Sequence, residues 1–233
     1  MDGTTTPDAG FIQSMGVKFP RRNDVMPPRI RHALRANSYE AKEARSVLKV
    51  VRADDVVLEL GGGVGFISSL IATRRAIQHV HVYEANAKLA TYIRETHAAN
   101  SIENATVHHA ILGKRKGKAD FHVRGNLIGS SLDAKDGAGV TRSESVDVLN
   151  VKAELKRIKP TVLVCDIEGA EAELIPLMDL STLRAAVVEL HPQWIGPEGV
   201  NAVFQAFITA GLAYHSKLSN QKVVTFRRSW PLK

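Results

Sequence analysis

Residues Val56 to Gly65 read VVLELGGGVG, a continuous apolar run that ends in an acid and three spaced glycines. No other stretch limits the fold as tightly. An apolar run without alternation suits a strand buried on both faces, as in a parallel sheet. Gly61, Gly63 and Gly65 then allow a sharp turn and a close approach of backbone to a ligand. The apolar segment Phe66 to Ala72 reads as a helix whose N-terminus faces that ligand. Strand, glycine turn and helix together predict a nucleotide-binding corner.

The dinucleotide fingerprint G-x-G-x-x-G requires a third glycine at its sixth place. From Gly61 that place is Phe66, and from Gly63 it is Ser68, so neither register fits. A pyrophosphate also suits a strong anion site at a helix N-terminus, whereas Glu59 sets a carboxylate beside this loop. A carboxylate suits a cationic ligand. S-adenosylmethionine carries a sulfonium and an ammonium, and E-x-G-x-G-x-G is the form its loop takes in methyltransferases. On this reading Glu59, Gly61, Gly63 and Gly65 contact that cofactor.

A length of 233 residues with 44% hydrophobic content suits one large α/β domain. Residues 1–28, rich in Thr, Pro, Gly and Arg, read as an extended or mobile arm, and 29–233 as a single domain. There is no apolar run of membrane-spanning length. The N-terminus lacks the basic and apolar regions of a signal peptide, so a cytoplasmic location is expected. The lone Cys165 excludes an internal disulfide and a Cys-rich metal centre, and no metal site is assigned. The net charge of +7 gathers at Arg21-Arg22, at Arg29, Arg31 and Arg35, and at Lys114-Arg115-Lys116. These scattered charges, with few aromatics among them, read as solvated surface, the alternative being a nucleic-acid contact.

Strands are predicted at 56–60, 79–83, 106–109, 161–167 and 185–190, with a final strand at 221–227 hairpin-paired with 213–217. Helices are predicted near Arg29, over Ala44 to Val51, over Lys88 to Asn100, and along Val200, Val203, Phe204, Phe207 and Ile208, with Gly211 as a C-terminal cap. This alternation predicts a mostly parallel seven-stranded sheet with helices on both faces and a C-terminal antiparallel hairpin, a Rossmann-like methyltransferase fold. Residues 112–151 break the rhythm and read as an insert near the active-site edge. Within it Phe121 to Val123 and Ser145 to Val151 read as short strands, and Leu132 to Arg142 as a loop.

Glu84 closes the second strand, where an acid can accept hydrogen bonds from both ribose hydroxyls; it and Ala85 are read as cofactor contacts. Asp166-Ile167-Glu168-Gly169-Ala170-Glu171 follows the fourth strand, at the carboxyl edge where open α/β sheets bind ligands. Three acids exceed what a helix cap needs. Their possible roles are holding the methionine ammonium, acting as a base, or binding a divalent cation. His191, after the fifth strand, is a second candidate base. Asp166, Glu168 and His191 are therefore the catalytic candidates, and Asp166 is also a cofactor contact.

The set E-L-G-G-G-V-G, V-Y-E-A-N, D-I-E-G-A-E and V-V-E-L-H-P resembles the FkbM family of S-adenosylmethionine-dependent methyltransferases. Asn37-Ser38-Tyr39-Glu40 looks like that family's short Y-E element, and Gly129-Ser130-Ser131-Leu132 like the small-residue segment of its insert. The resemblance spans residues 37–191. It implies O-methylation of a hydroxyl on a small molecule or sugar. The rival readings are an RNA methyltransferase using the basic surface and a NAD-binding oxidoreductase.

Overall fold

The computed structural model describes residues 10–124 and 140–229. Its centre is a seven-stranded sheet in the order β11-β12-β10-β9-β3-β4-β5. The strands are β3 (Val56–Leu60), β4 (His79–Glu84), β5 (Ala105–His109), β9 (Val162–Cys165), β10 (Ala185–Glu189), β11 (Ala213–Tyr214) and β12 (Val223–Arg227). Neighbours β10-β9-β3-β4-β5 run parallel, and β12 runs antiparallel to both β10 and β11. This is the Rossmann-like methyltransferase arrangement expected from the sequence.

Alternation along each central strand divides the core in two. Val57, Val80, Val82, Val162, Val164 and Val187 pack on one face. Leu58, Leu60, Tyr83, Leu163, Cys165, Ala186 and Val188 pack on the other. Helices cover both faces of the central strands, while β4 and β5 carry a half-buried polar stripe of His79, His81, Thr106 and His108 on one face. The covering helices are α2 (Ala41–Val50), α3 (Phe66–Arg74), α4 (Ala87–Ala99), α5 (Val151–Ile158) and α7 (Pro192–Thr209). Helix α7 starts eight residues earlier than its apolar stripe implies and bends at Gly196-Pro197. Among the described residues no helix is long and apolar enough to cross a membrane.

Asp55 fastens the amino edge of the sheet. Its carboxylate accepts from Arg52 N, Thr161 Oγ1 and the Arg184 guanidinium, joining the starts of β3, β9 and β10. A buried acid at this end therefore has a permanent cation.

The N-terminal segment departs from the expected arm. Strands β1 (Phe11–Ser14) and β2 (Val17–Pro20) form a hairpin, followed by α1 (Pro28–Arg35). Ile12, Val17, Phe19, Val25 and Met26 are buried. Asn100 clamps the Lys18 backbone from both sides, at 2.8 and 2.7 Å, and Tyr92 donates to Pro20 O at 2.7 Å. Two four-residue strands are marginal alone; this hairpin is held by α3 and α4, contacts that local composition does not reveal. Residues 1–9 lie outside the described residues.

The insert is a three-stranded sheet of β6 (Ile111–Gly113), β7 (Gly117–Arg124) and β8 (Val140–Asn150) in the order β6-β8-β7. Both predicted short strands are longer than expected, and Val140 to Arg142 belong to β8 rather than a loop. The Gly129-Ser130-Ser131-Leu132 segment lies outside the described residues.

Candidate active site

Every parallel strand of the central sheet ends at the same edge, and a cavity of about 500 Å³ opens there. That is enough for a nucleoside-sized ligand. The glycine turn after β3 forms its floor. Gly61 has φ +83°, and a Cβ on it would stand 1.7 Å from the Asp166 carbonyl oxygen. Only glycine lets the first turn pass this close to the acidic turn after β9. Gly63 also lines the cavity, whereas Gly65 begins α3 and packs on Ile93.

Glu84 reaches back under this turn. Its Oε2 accepts from Gly62 N and Gly63 N, both at 3.1 Å, and its Oε1 accepts from Asn86 N at 2.7 Å. Burial raises its pKa to about 7, against the pull of these N–H donors. Glu84 therefore shapes the glycine turn as well as lining the cavity with Ala85. Both lone pairs of Oε2 are taken by these amides, which leaves Oε1 to accept from a ligand hydroxyl.

Glu59 does not reach the cavity. It lies inside the strand beneath the glycine turn, on the same sheet face as Glu84, where it is buried and hydrogen-bonds to Ser68. Ser68 in turn meets His97 Nε2 at 3.1 Å. Burial, then Glu40, holds the Glu59 pKa well above its ordinary value. Proximity in sequence thus placed Glu59 beside the ligand, but the fold sets it beneath the turn.

The acids after β9 and β10 do converge. Glu168 has φ +51° and Gly169 φ +103°, which fold the chain back on itself. Asp166 and Glu168 line the cavity. Neither caps the following short helix α6 (Glu171–Leu174), whose first residue has no side-chain cap. His191 is 5% exposed, with Nε2 at 3.7 Å from Asp166 Oδ1 and 3.4 Å from Glu168 Oε2. Its Nδ1 meets Glu171 Oε1 at 2.8 Å. Glu171 is fully buried and also accepts from Gly169 N at 3.1 Å. Burial pushes the His191 pKa down, but Glu171 and Glu168 carry it above the ordinary value. Burial and the nearby Glu189 and Glu168 push Asp166 well up.

Two contributors were not singled out from the sequence, and a third, Glu171 of the acidic turn, has a role the sequence did not assign. Glu40, on the Y-E element, lines the cavity from the turn before α2. Glu171 anchors His191. Ile111, Leu112, Lys114, Ala119, Phe121 and Val148 make the insert one wall of the cavity. The Y-E pair was a signal for Glu40; nothing local indicated which insert residues turn inward. The basic N-terminal region spends part of its charge internally, with Arg22 paired to Asp24 and Glu95.

These buried acids give the stability a defined pH dependence. Burial raises Glu40 to about 8 and Glu43 and Glu84 to about 7 from an ordinary 4.5. Above the unfolded value the native state then holds more protons than the unfolded chain, so stability falls as pH climbs through the native values. Burial lowers His81 and His97 to about 4 from 6.5, which acts oppositely but only below 6.5. The thermal midpoint of the ligand-free protein should therefore fall between about pH 6.5 and pH 8.5. Calorimetry across that window checks this, and a rising midpoint would contradict it.

No family model and no curated protein sequence matches the chain. Among solved structures it is similar to Trm5b from Pyrococcus abyssi, with TM-score 0.51 and 15% identity over 93% of this chain and 55% of that one. It thus spans about half the length of Trm5b. It also aligns with precorrin-6y C5,15-methyltransferase from Geobacter metallireducens, at TM-score 0.48 and 12% identity over 84% and 78% of the two chains. A ribosomal protein L11 methylase from Lactobacillus delbrueckii subsp. bulgaricus aligns at 0.45 and 13% over 83% and 81%. At such identities the likeness is one of architecture, and what this chain has is a Rossmann-like methyltransferase fold.

Proposed function

We propose that the chain is an S-adenosylmethionine-dependent methyltransferase of the FkbM type, acting on a hydroxyl oxygen of a small molecule or sugar. The observation that carries this reading is the contact of the glycine turn with the acidic turn at Gly61 and Asp166. Through it, one cavity holds Glu84 at one end and Asp166 and Glu168 at the other. The residues fit such a cofactor. Glu84 Oε1 has a lone pair left for a ribose hydroxyl, and Leu60, Leu89, Ile111 and Phe121 offer apolar wall. Asp166 Oδ1 is buried without a hydrogen-bond partner, as a group awaiting a cation would be.

When bound, the cofactor supplies a methyl group already activated by its sulfonium. The protein's task is then alignment, exclusion of water and removal of the hydroxyl proton. Glu171 holds the Nδ1 proton of His191, which leaves the Nε2 lone pair facing Asp166 and Glu168. Nε2, with these carboxylates, is placed to take a proton. The apolar insert wall keeps that exchange dry.

Calorimetry with S-adenosylhomocysteine and with NADH tests the cofactor. The homocysteine compound should bind, NADH should not, and Glu84→Ala should weaken binding roughly tenfold or more through lost charge-assisted hydrogen bonds. Tight NADH binding alone would overturn the reading. A lysate screen with methyl-labelled cofactor tests the acceptor: label in the small-molecule fraction supports it, and label confined to RNA refutes the acceptor assignment.

A further inference from the structure

We propose that Asp166, Glu168 and His191 form a binding site for one divalent transition-metal ion, Mn²⁺ or Zn²⁺, at the acidic end of the cavity. Each of the three offers one ligand atom, and these atoms lie within 4.8 Å of one another. Ligands held at about 2.1 Å around one ion stand roughly 3.0 Å apart when adjacent and 4.2 Å when opposite. The observed 3.4 and 3.7 Å from Nε2 to the two carboxylates need only small side-chain adjustments.

Two further observations point to a ligand here. His191 is 95% buried by side chain, and among the described residues its Nε2 makes no hydrogen bond. Its other nitrogen donates to the buried Glu171, which is itself fixed by Gly169 N. That bond selects the tautomer with an Nε2 lone pair, and a carboxylate behind a histidine is the usual support for a metal-binding imidazole. Second, Asp166 Oδ1 is buried with no hydrogen-bond partner. The rest of its side chain is 36% exposed, toward the cavity. A ligand could therefore complete the coordination from that side.

The charge balance agrees. At the amino edge of the sheet the buried Asp55 has Arg184. At the carboxyl edge Glu40, Glu43 and Glu189 add their fields to the cluster, while Lys222 and Lys42 act only at its margin. A divalent ion would offset that excess. One imidazole with two carboxylates favours Mn²⁺ or Zn²⁺ over the all-oxygen preference of Ca²⁺. With the ion bound, Nε2 no longer takes a proton itself and a hydroxyl bound to the ion is more acidic instead; that consequence rests on the methyl-transfer reading, but the site does not.

The test is metal binding to the full chain after chelator stripping, read without reference to activity. Titration with Mn²⁺ followed by electron paramagnetic resonance should show one site per chain, with nitrogen coupling from an imidazole. Glu168→Gln and Asp166→Asn should each weaken it at least tenfold, and His191→Gln should abolish the nitrogen coupling. Glu171→Gln, which leaves the ligands in place, should weaken it roughly 10–100-fold. Circular dichroism and cooperative thermal unfolding report that each variant is folded. No Mn²⁺ or Zn²⁺ binding below millimolar concentration, or binding unchanged in folded variants, overturns the proposal. Metal binding with no binding of S-adenosylhomocysteine would uphold the site while refuting the function.

Discussion

Gly61→Ala is expected to lower stability by about 3–5 kcal/mol, from overpacking together with a left-handed alanine. For a chain of this size that corresponds to a fall of roughly 6–20 °C in Tm. The cause is specific. The added methyl meets the Asp166 carbonyl at 1.7 Å, which is backbone and cannot rotate away. The acidic turn must move, and it is tied down: Asp166 N donates to Leu60 O, and Gly61 N to Tyr83 O, both at 2.9 Å. Cofactor affinity should be lost with stability, since both ends of the cavity depend on this contact. Gly117→Ala is the control, because a Cβ there meets nothing within 4 Å. Thermal unfolding of the two variants decides; equal midpoints would show that the turn is free to relax.

Asp166→Asn and Glu168→Gln should each reduce methyl transfer about a hundredfold or more, the scale of a lost acid–base or charge contact. Both should fold. In the metal-free and cofactor-free protein, Asp166→Asn should raise the thermal midpoint at about pH 8 and raise it progressively less as the pH falls toward the unfolded carboxylate value of about 4. The sign follows from burial and from Glu189 and Glu168, which hold the Asp166 pKa well above the ordinary carboxylate value. At and below the unfolded value the carboxyl is protonated in both the native and the unfolded chain, so removing its charge changes little. At higher pH the charge is forced on a buried, like-charged site, and asparagine relieves it. Stability and activity thus move in opposite directions, as at sites kept for function. Wild-type turnover in both variants would make the turn structural.

Much of the fold was legible because it rests on short-range patterns. The apolar runs at 56–58 and 185–188, each followed by an acid, imply strands covered on both faces, and the helix–strand–strand ending implies the final hairpin. The N-terminal hairpin was not legible, since its two strands gain their stability from α3 and α4. Within the candidate site, Gly61, Gly63, Glu84, Ala85, Asp166 and Glu168 share a cavity as their positions at strand ends imply. Glu59 does not, because it sits inside the strand beneath the glycine turn, held by Ser68 of α3.

Sequence alone determined that this chain places a glycine turn, the acid Glu84 and an acidic turn at the ends of parallel strands, since chain direction brings those ends to one edge. Only the tertiary structure decided how the side chains meet. It set Glu84 against the Gly62 and Gly63 amides, Glu171 behind His191, and Glu40 with the insert strands around the cavity. Those pairings join residues from 20 to more than 100 positions apart. They depend on pleat, turn geometry and packing between elements, and no local propensity carries that information.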